Sequence, residues 1–233
     1  MGITKAALWE LREIKSKLQS DINFLQGKNM NKFSKYISSQ FKNPRGIGGV
    51  IITMIQNVVN QAMYKNAVSM INLQSDENIL DIGYGNGHLL EMIYKKHPVN
   101  LYGIDISDDA KEMAAKKNQK AESAGQLHLT VGDCCDLPYE DDMFATVTSI
   151  NTVYFWPDTV KGLSEIRRTL KKGSSFYNIV FTKAYLNTIK YTQTGYKKFE
   201  PEELVEYGKQ AGFEHIEIKE IVRGKSYVVI YTK

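Results

Sequence analysis

Asn78-Ile79-Leu80-Asp81-Ile82-Gly83-Tyr84-Gly85-Asn86-Gly87-His88 is the stretch that decides how this chain folds. It opens as a short apolar run and closes on three alternating glycines. Leu89, Leu90 and Ile93 follow, with Glu91, Lys95 and Lys96 between them. That order predicts a strand, a tight turn and an amphipathic helix. Glycine serves such a turn twice: positive φ carries no steric penalty, and a ligand can come close to the backbone. A helix opening at the turn presents unpaired N–H groups and partial positive charge. An anionic or polar ligand end is favoured there.

Two cofactor classes use a turn of this kind. The dinucleotide fingerprint G-x-G-x-x-G fits Gly83 and Gly85 but meets His88 at its third glycine. The pattern in the chain is Asp81-x-Gly83-x-Gly85-x-Gly87, with Tyr84 inside it. It resembles the first motif, D-x-G-x-G-x-G, of the class I S-adenosylmethionine (SAM)-dependent methyltransferases. The resemblance implies cofactor contacts at Asp81, Gly83, Tyr84, Gly85 and Gly87. A second segment runs Gly132-Asp133-Cys134-Cys135-Asp136-Leu137-Pro138-Tyr139-Glu140-Asp141-Asp142-Met143-Phe144. It resembles the G-D-x-x-x-L-P-F/Y-x-D-x-x-F segment of the same family. There the matching aspartate accepts the adenine amino group and the next backbone N–H meets a ring nitrogen, which implies Asp133 and Cys134 here.

Between the two motifs, Val99 to Ile104 reads as a buried strand with Asp105 at its carboxyl end. Asp105 lies a little over twenty residues after Gly83, the spacing at which an acidic residue reaches ribose hydroxyls in nucleotide-binding α/β folds. A carboxylate accepts from both hydroxyls at once. Ser107, ahead of Asp108 and Asp109, is the natural cap of the next helix. That helix is expected from Asp108 to Ser123, with Gly125 closing it. The resemblance places Ile106 beside the adenine.

The remaining elements follow in order. Leu127 to Val131 and Ala145 to Ile150 read as strands three and four. Asn151, at the carboxyl end of strand four, can donate and accept, and is a candidate for the methionine part of the cofactor. Tyr154 and Trp156 come next, and aromatic faces suit a sulfonium cation. Trp156 is assigned to packing and Tyr154 to positioning near the transferred methyl. A helix from Asp158 to Leu170 is expected to end on Lys171-Lys172-Gly173, before a fifth strand at Ser174 to Phe181. The insert Thr182 to Lys198 carries Tyr185, Tyr191 and Tyr196 with Lys183, Lys190, Lys197 and Lys198. Tyr185 and Tyr191 are candidates for a substrate wall, and the lysines would fit a phosphate or carboxylate. Glu200 to Ala211 reads as a helix opened by Pro201. Strands then run through Ile221 and from Ser226 to Tyr231, the last of them antiparallel by the resemblance.

Upstream of the decisive stretch, Leu11, Ile14, Leu18, Ile22 and Leu25 mark an amphipathic helix. A shorter helix is expected over Met30 to Ser39. A long one is expected from about Val50 to Leu73, with Ile51, Ile55, Val58, Ala62 and Met63 on one face. The organisation expected is an N-terminal amphipathic helix over 1–29, a helical lid over 30–73 and a SAM-binding domain over 74–233. N-terminal helices cover the cofactor and substrate in many methyltransferases of this resemblance. Tyr36, Phe41 and Arg45 are therefore candidate substrate contacts, and the first helix is a candidate dimer contact.

Composition sets bounds. The 233 residues suit one α/β domain with a proper core. A net charge of +4 makes no argument for a nucleic-acid or membrane partner. The two cysteines, Cys134 and Cys135, are adjacent, and neighbouring Cα atoms about 3.8 Å apart fall short of the usual disulfide range. A reducing cytoplasm is the default, and no structural metal site is expected. The fold expected is a Rossmann-like α/β domain with a seven-stranded, mostly parallel sheet. The resemblance implies methyl transfer from SAM to a small molecule, nearest the ubiquinone/menaquinone-methyltransferase-like group. An RNA or protein methyltransferase, a non-catalytic SAM-binding assembly module and a nicotinamide oxidoreductase are the alternatives.

Overall fold

A computed structural model describes residues 57–72, 74, 77–97 and 99–233. The calls on residues 1–56 lie outside the described residues, among them the N-terminal helices and Tyr36, Phe41 and Arg45. The elements are α1 (Gln61–Met70), β1 (Asn78–Ile82), α2 (His88–Lys96), β2 (Asn100–Asp105), α3 (Asp108–Lys117), α4 (Gln119–Ser123), β3 (Leu127–Val131), β4 (Phe144–Ile150), α5 (Thr159–Thr169), β5 (Leu170–Phe181), α6 (Lys183–Thr188), α7 (Pro201–Gln210), β6 (His215–Val222) and β7 (Ser226–Thr232). Short 3-10 turns stand at Val153–Phe155 and Lys190–Gln193.

Seven strands form one sheet in the order β3-β2-β1-β4-β5-β7-β6. β1 pairs in parallel with β2 and β4, and β7 runs antiparallel to both of its neighbours, β5 and β6. The strand order reverses between β1 and β4, and ligands bind beyond the carboxyl ends of strands at such a switch point. Buried apolar strands explain the arrangement. Ile79, Leu80, Leu101, Val147, Phe176 and Tyr231 are essentially without exposure, as a sheet covered on both faces requires.

Alternation along β5 shows what covers each face. Tyr177 sends its hydroxyl to the Met70 carbonyl of α1. Phe176, pointing the other way, stacks on Tyr231, whose hydroxyl reaches the Leu204 carbonyl of α7.

Three expectations about elements are corrected. The long helix stops at Met70 rather than Leu73, and Asn60 interrupts it just ahead of α1. Its buried residues are Met63 and Ala67, while Val58 is 65% exposed. The helix expected over 108–123 breaks at Asn118, whose buried side chain donates to the carbonyls of Gly87 and Ala114. α5 ends at Thr169, and Lys171-Lys172-Gly173 belong to β5. Gly173 takes φ +76° there and its N–H reaches the carbonyl of Lys233. Among the described residues no helix is long and apolar enough to cross a membrane.

Candidate functional site

The carboxyl ends of β1, β2, β3 and β4 meet around an open cleft. Gly83, Tyr84 and Gly85 form one wall. Asp105 and Ile106 come from the end of β2, Asp133 and Cys134 from the segment after β3, and Asn151 and Thr152 from the end of β4. Asn60 and Tyr64 close it from the α1 side. Most of the candidate cofactor contacts therefore converge, although they are spread over some seventy positions of sequence.

The motif's glycines divide the labour. A methyl group on Gly83 would stand 2.4 Å from Cγ2 of Thr152, so this glycine lets the β4 loop pass. A methyl on Gly87 would stand 2.9 Å from the Ala114 backbone and 2.5 Å from Asn118, so this one seats α2 against α3. Gly85 has φ +53°, and among the described residues no atom beyond its chain neighbours lies within 4 Å of that position. Of the three, Gly85 holds space open on the cleft. Gly87 and Asp81 lie behind the turn and do not line the cleft.

Asp105 is pre-set by the backbone. Its Oδ2 accepts from the Gly85 N–H at 2.9 Å and its Oδ1 from the Ser107 N–H at 3.1 Å. Each oxygen keeps acceptor capacity for a ribose hydroxyl. Burial pushes its pKa up, against the pull of the N–H bonds from Gly85, Ser107 and Ile106. Ser107 caps α3, as expected, accepting from the Ala110 N–H at 3.3 Å. Ile106 is half exposed, at 50%, leaving an apolar face free beside Asp105.

Asp81 is different. It is 3% exposed and accepts from the Thr148 hydroxyl at 2.8 Å. Burial, with Asp105 adding to it, pushes its pKa to about 7. Tyr84 is also buried; its hydroxyl donates to the Thr130 carbonyl, and its ring lies where Gly103 leaves room.

In the second motif, Asp133 Oδ1 accepts from the Cys135 N–H at 2.8 Å, which shapes the turn. Both cysteines are free thiols and buried. Burial pushes both thiols up, so they stay protonated. The ligand atoms of Asp133, Cys134 and Cys135 lie within 4.8 Å of one another, but a structural zinc takes four ligands, with thiolates rather than thiols. Cys135 instead donates to the Asp158 carbonyl at 3.2 Å.

Asn151 stands at the junction with a second, smaller cavity. Its backbone is left-handed, φ 60°, which is uncommon outside glycine and recurs at functional sites. Its Nδ2 donates to Asn60 Oδ1 at 3.0 Å, and its Oδ1 accepts from the Tyr154 hydroxyl at 3.0 Å and the Phe181 N–H at 3.2 Å. Tyr154 is 2% exposed and also accepts from the Phe181 N–H at 2.6 Å. It lines the smaller cavity with Phe155, Tyr191 and Tyr196. Tyr185 does not line it; Lys225 stands over its ring at 4.9 Å. Trp156 packs as expected, 4% exposed, and also borders the cofactor cleft, donating to Thr152 Oγ1 at 3.1 Å.

Sequence reading missed Asn60 and Thr152. Thr152 could have been found from its place beside Asn151, after a strand end. Asn60 carries no local signal, because its role is set by Asn151, 91 residues away.

The profile of the methyltransferase domain matches residues 80–178. The uncharacterized methyltransferase YdaC of Bacillus subtilis is 26% identical over 178 residues, covering 73% of this chain and 90% of that one. The ubiquinone/menaquinone biosynthesis C-methyltransferase UbiE of Geotalea daltonii is 29% identical over 126 residues, 53% of this chain and 54% of that one. Among solved structures, the complex of the Haloferax volcanii Trm112 methyltransferase activator with a methyltransferase matches with TM-score 0.67 and 20% identity, over 76% of this chain and 91% of that one. Haemonchus contortus phosphoethanolamine N-methyltransferase 2, in complex with SAM, gives 0.62 and 18%, over 75% and 52%. At those identities the two structures speak for the fold.

Proposed function

We infer that this chain, a class I SAM-dependent methyltransferase, delivers the methyl group to a small-molecule acceptor that approaches the cleft from the side of the smaller cavity. One observation carries the reading: the two cavities share a wall. Asn60, Asn151 and Phe155 border both. The smaller cavity holds only about 40 Å³, and a cofactor in the cleft and an acceptor approaching from its side would meet at that wall.

The cleft fits the cofactor by its chemistry. Asp105 would take the ribose hydroxyls, Gly85 gives room for close approach, and Ile106 offers an apolar face to the adenine. Asp133 and the Cys134 N–H would read the adenine edge. SAM supplies a methyl activated on a sulfonium. The chain's own task is to hold the acceptor in line and keep water out. Tyr154 serves this by position: its hydroxyl is spent on Asn151 and Phe181, and burial keeps the phenol protonated. A relative named as a C-methyltransferase of ubiquinone/menaquinone biosynthesis supports a small-molecule acceptor here.

Calorimetric titration with SAM, S-adenosylhomocysteine and NAD tests the cofactor half. A count of S-adenosylhomocysteine released over a small-molecule panel, with RNA and protein acceptors beside it, tests the rest. Both adenosyl ligands should bind without NAD, and small molecules should turn over. Turnover confined to RNA or protein would overturn the reading.

A further inference from the structure

Resting on the reading of Asp133 and Cys134 as the adenine contacts, we propose that Arg168, paired with Glu165, is the positioning residue that sets the adenine edge of the cleft. Arg168 stands in the last turn of α5, and its guanidinium makes five hydrogen bonds. Nε donates to Glu165 Oε1 at 3.0 Å and Nη2 to Glu165 Oε2 at 2.8 Å. Nη2 also donates to the Leu137 carbonyl at 3.0 Å. Nη1 donates to the Tyr139 carbonyl at 2.7 Å and to the Asp141 carboxylate at 2.8 Å. A guanidinium carries five N–H donors in a fixed fork, and here each has an acceptor. Glu165 in turn accepts from the Leu137 N–H at 3.0 Å. Both backbone groups of Leu137 therefore end on one ion pair. The bonds from Arg168 hold the Glu165 carboxyl below its ordinary range, against the effect of burial.

The segment held in this way needs holding. Gly132 to Met143 is neither helix nor strand, so its backbone polar groups must find partners outside a regular element. α5 supplies them at both of its ends. At the far end the Asp142 N–H reaches the Arg168 carbonyl at 3.1 Å and the Met143 N–H reaches the Thr169 carbonyl at 2.8 Å. At the near end Cys135 donates to Asp158, the cap of α5. A methyl on Gly162 would stand 3.4 Å from Cys134 Sγ and 3.0 Å from the Trp156 ring, so Cys134 and Trp156 both pack on α5 there. Asp133, Cys134 and Trp156 all line the cleft. The helix thus registers the adenine-side wall against the Trp156 wall.

Register matters because adenine presents a donor, its amino group, beside an acceptor, its ring nitrogen. Reading the pair takes an acceptor and a donor held side by side. Asp133 and the Cys134 N–H are adjacent in the chain, and Leu137 follows Cys134 by three residues. A shift at Leu137 would move both. Lysine in place of Arg168 keeps the charge but brings its donors on a single nitrogen, which cannot span Leu137, Tyr139 and Glu165 together.

The test compares S-adenosylhomocysteine with S-inosylhomocysteine. The inosyl base has an oxygen in place of the amino group and a proton on the neighbouring ring nitrogen, which reverses donor and acceptor. Calorimetry on the parent protein should favour the adenosyl ligand by about tenfold or more. Arg168→Lys should narrow that preference by at least about threefold. Glu165→Ala, which removes the acceptor of the Leu137 N–H, should narrow it in the same direction and decides the matter if Arg168→Lys does not fold. A ratio of affinities is read because a purely structural loss lowers the folded fraction, which weakens both ligands alike. A parent-like ratio in either folded variant would overturn the proposal. The underlying reading fails separately: a parent that binds both ligands equally, or neither, loses Asp133 and Cys134 as adenine contacts and takes the proposal with it.

Discussion

Alanine at Gly85 and at Gly87 should separate ligand access from fold stability, two positions apart in one turn. Both residues hold left-handed backbone, φ +53° and +72°, which costs a residue with a Cβ about 1–2 kcal/mol. At Gly85 nothing more is added, because among the described residues no atom beyond its chain neighbours lies within 4 Å of the new methyl. At Gly87 the methyl meets the Ala114 backbone at 2.9 Å and Asn118 at 2.5 Å. Overpacking adds about 1–3 kcal/mol, and loss of the Asn118 bond to the Gly87 carbonyl adds about 1 kcal/mol. The totals are about 1–2 kcal/mol for Gly85→Ala and about 3–6 kcal/mol for Gly87→Ala. Denaturant titration reads these directly, and in thermal melts each kcal/mol is worth about 2–4 °C. Calorimetry with S-adenosylhomocysteine on folded protein should give the opposite order. Gly85→Ala should lose about tenfold or more in affinity, since about 1.4 kcal/mol of obstruction is enough. Gly87→Ala should stay near the parent. Normal affinity in Gly85→Ala, or parent-like stability in Gly87→Ala, would refute this division of roles.

Asp105→Asn should weaken S-adenosylhomocysteine binding by about ten- to a hundredfold, as hydrogen bonds to a charged group are worth about 1.5–3 kcal/mol; calorimetry reads it, and unchanged affinity would remove Asp105 from the ribose. Folded Asp81 keeps its proton to about pH 7, against an ordinary 3.8, so the folded state binds more protons between those values. Its stabilisation is full below about pH 3.8 and is lost as pH rises through about 7; Asp81→Asn should remove up to roughly 3 kcal/mol of that pH dependence in denaturant titrations at pH 5 and 8. Tyr154→Phe leaves the Phe181 N–H with only the longer bond to Asn151, so it should cost about 1 kcal/mol of stability. If Tyr154 positions the acceptor, kcat should fall while S-adenosylhomocysteine affinity holds, and an unchanged kcat would exclude that role.

What could be read from the sequence was local. The β1 strand, its glycine turn and α2 are set by consecutive residues. So is the Ser107 cap, where a side chain bonds a backbone three positions on. The break at Asn118 could not be read the same way. Alanines continue on either side of it, and the helix yields because the Asn118 amide is needed 31 residues back, at Gly87. Lys171-Lys172-Gly173 has the composition of a helix end, yet Gly173 is bonded to the last residue of the chain, a contact with no local signature. The motif aspartate Asp81 was legible as a motif member, but not its depth behind the turn. The insert's lysines fitted a phosphate or carboxylate by composition alone, which does not record that Lys197 reaches the Trp156 carbonyl or that Lys183 pairs with Glu200.

Trp156 gives the molecule an optical reporter of its own. The chain has two tryptophans, Trp9 and Trp156, and the second borders the cofactor cleft with its indole N–H held by Thr152. In a Trp9→Phe background every photon of indole emission would originate at that wall. Changes in intensity or wavelength would then follow occupancy of the cleft in real time, with no label attached and no acceptor identified.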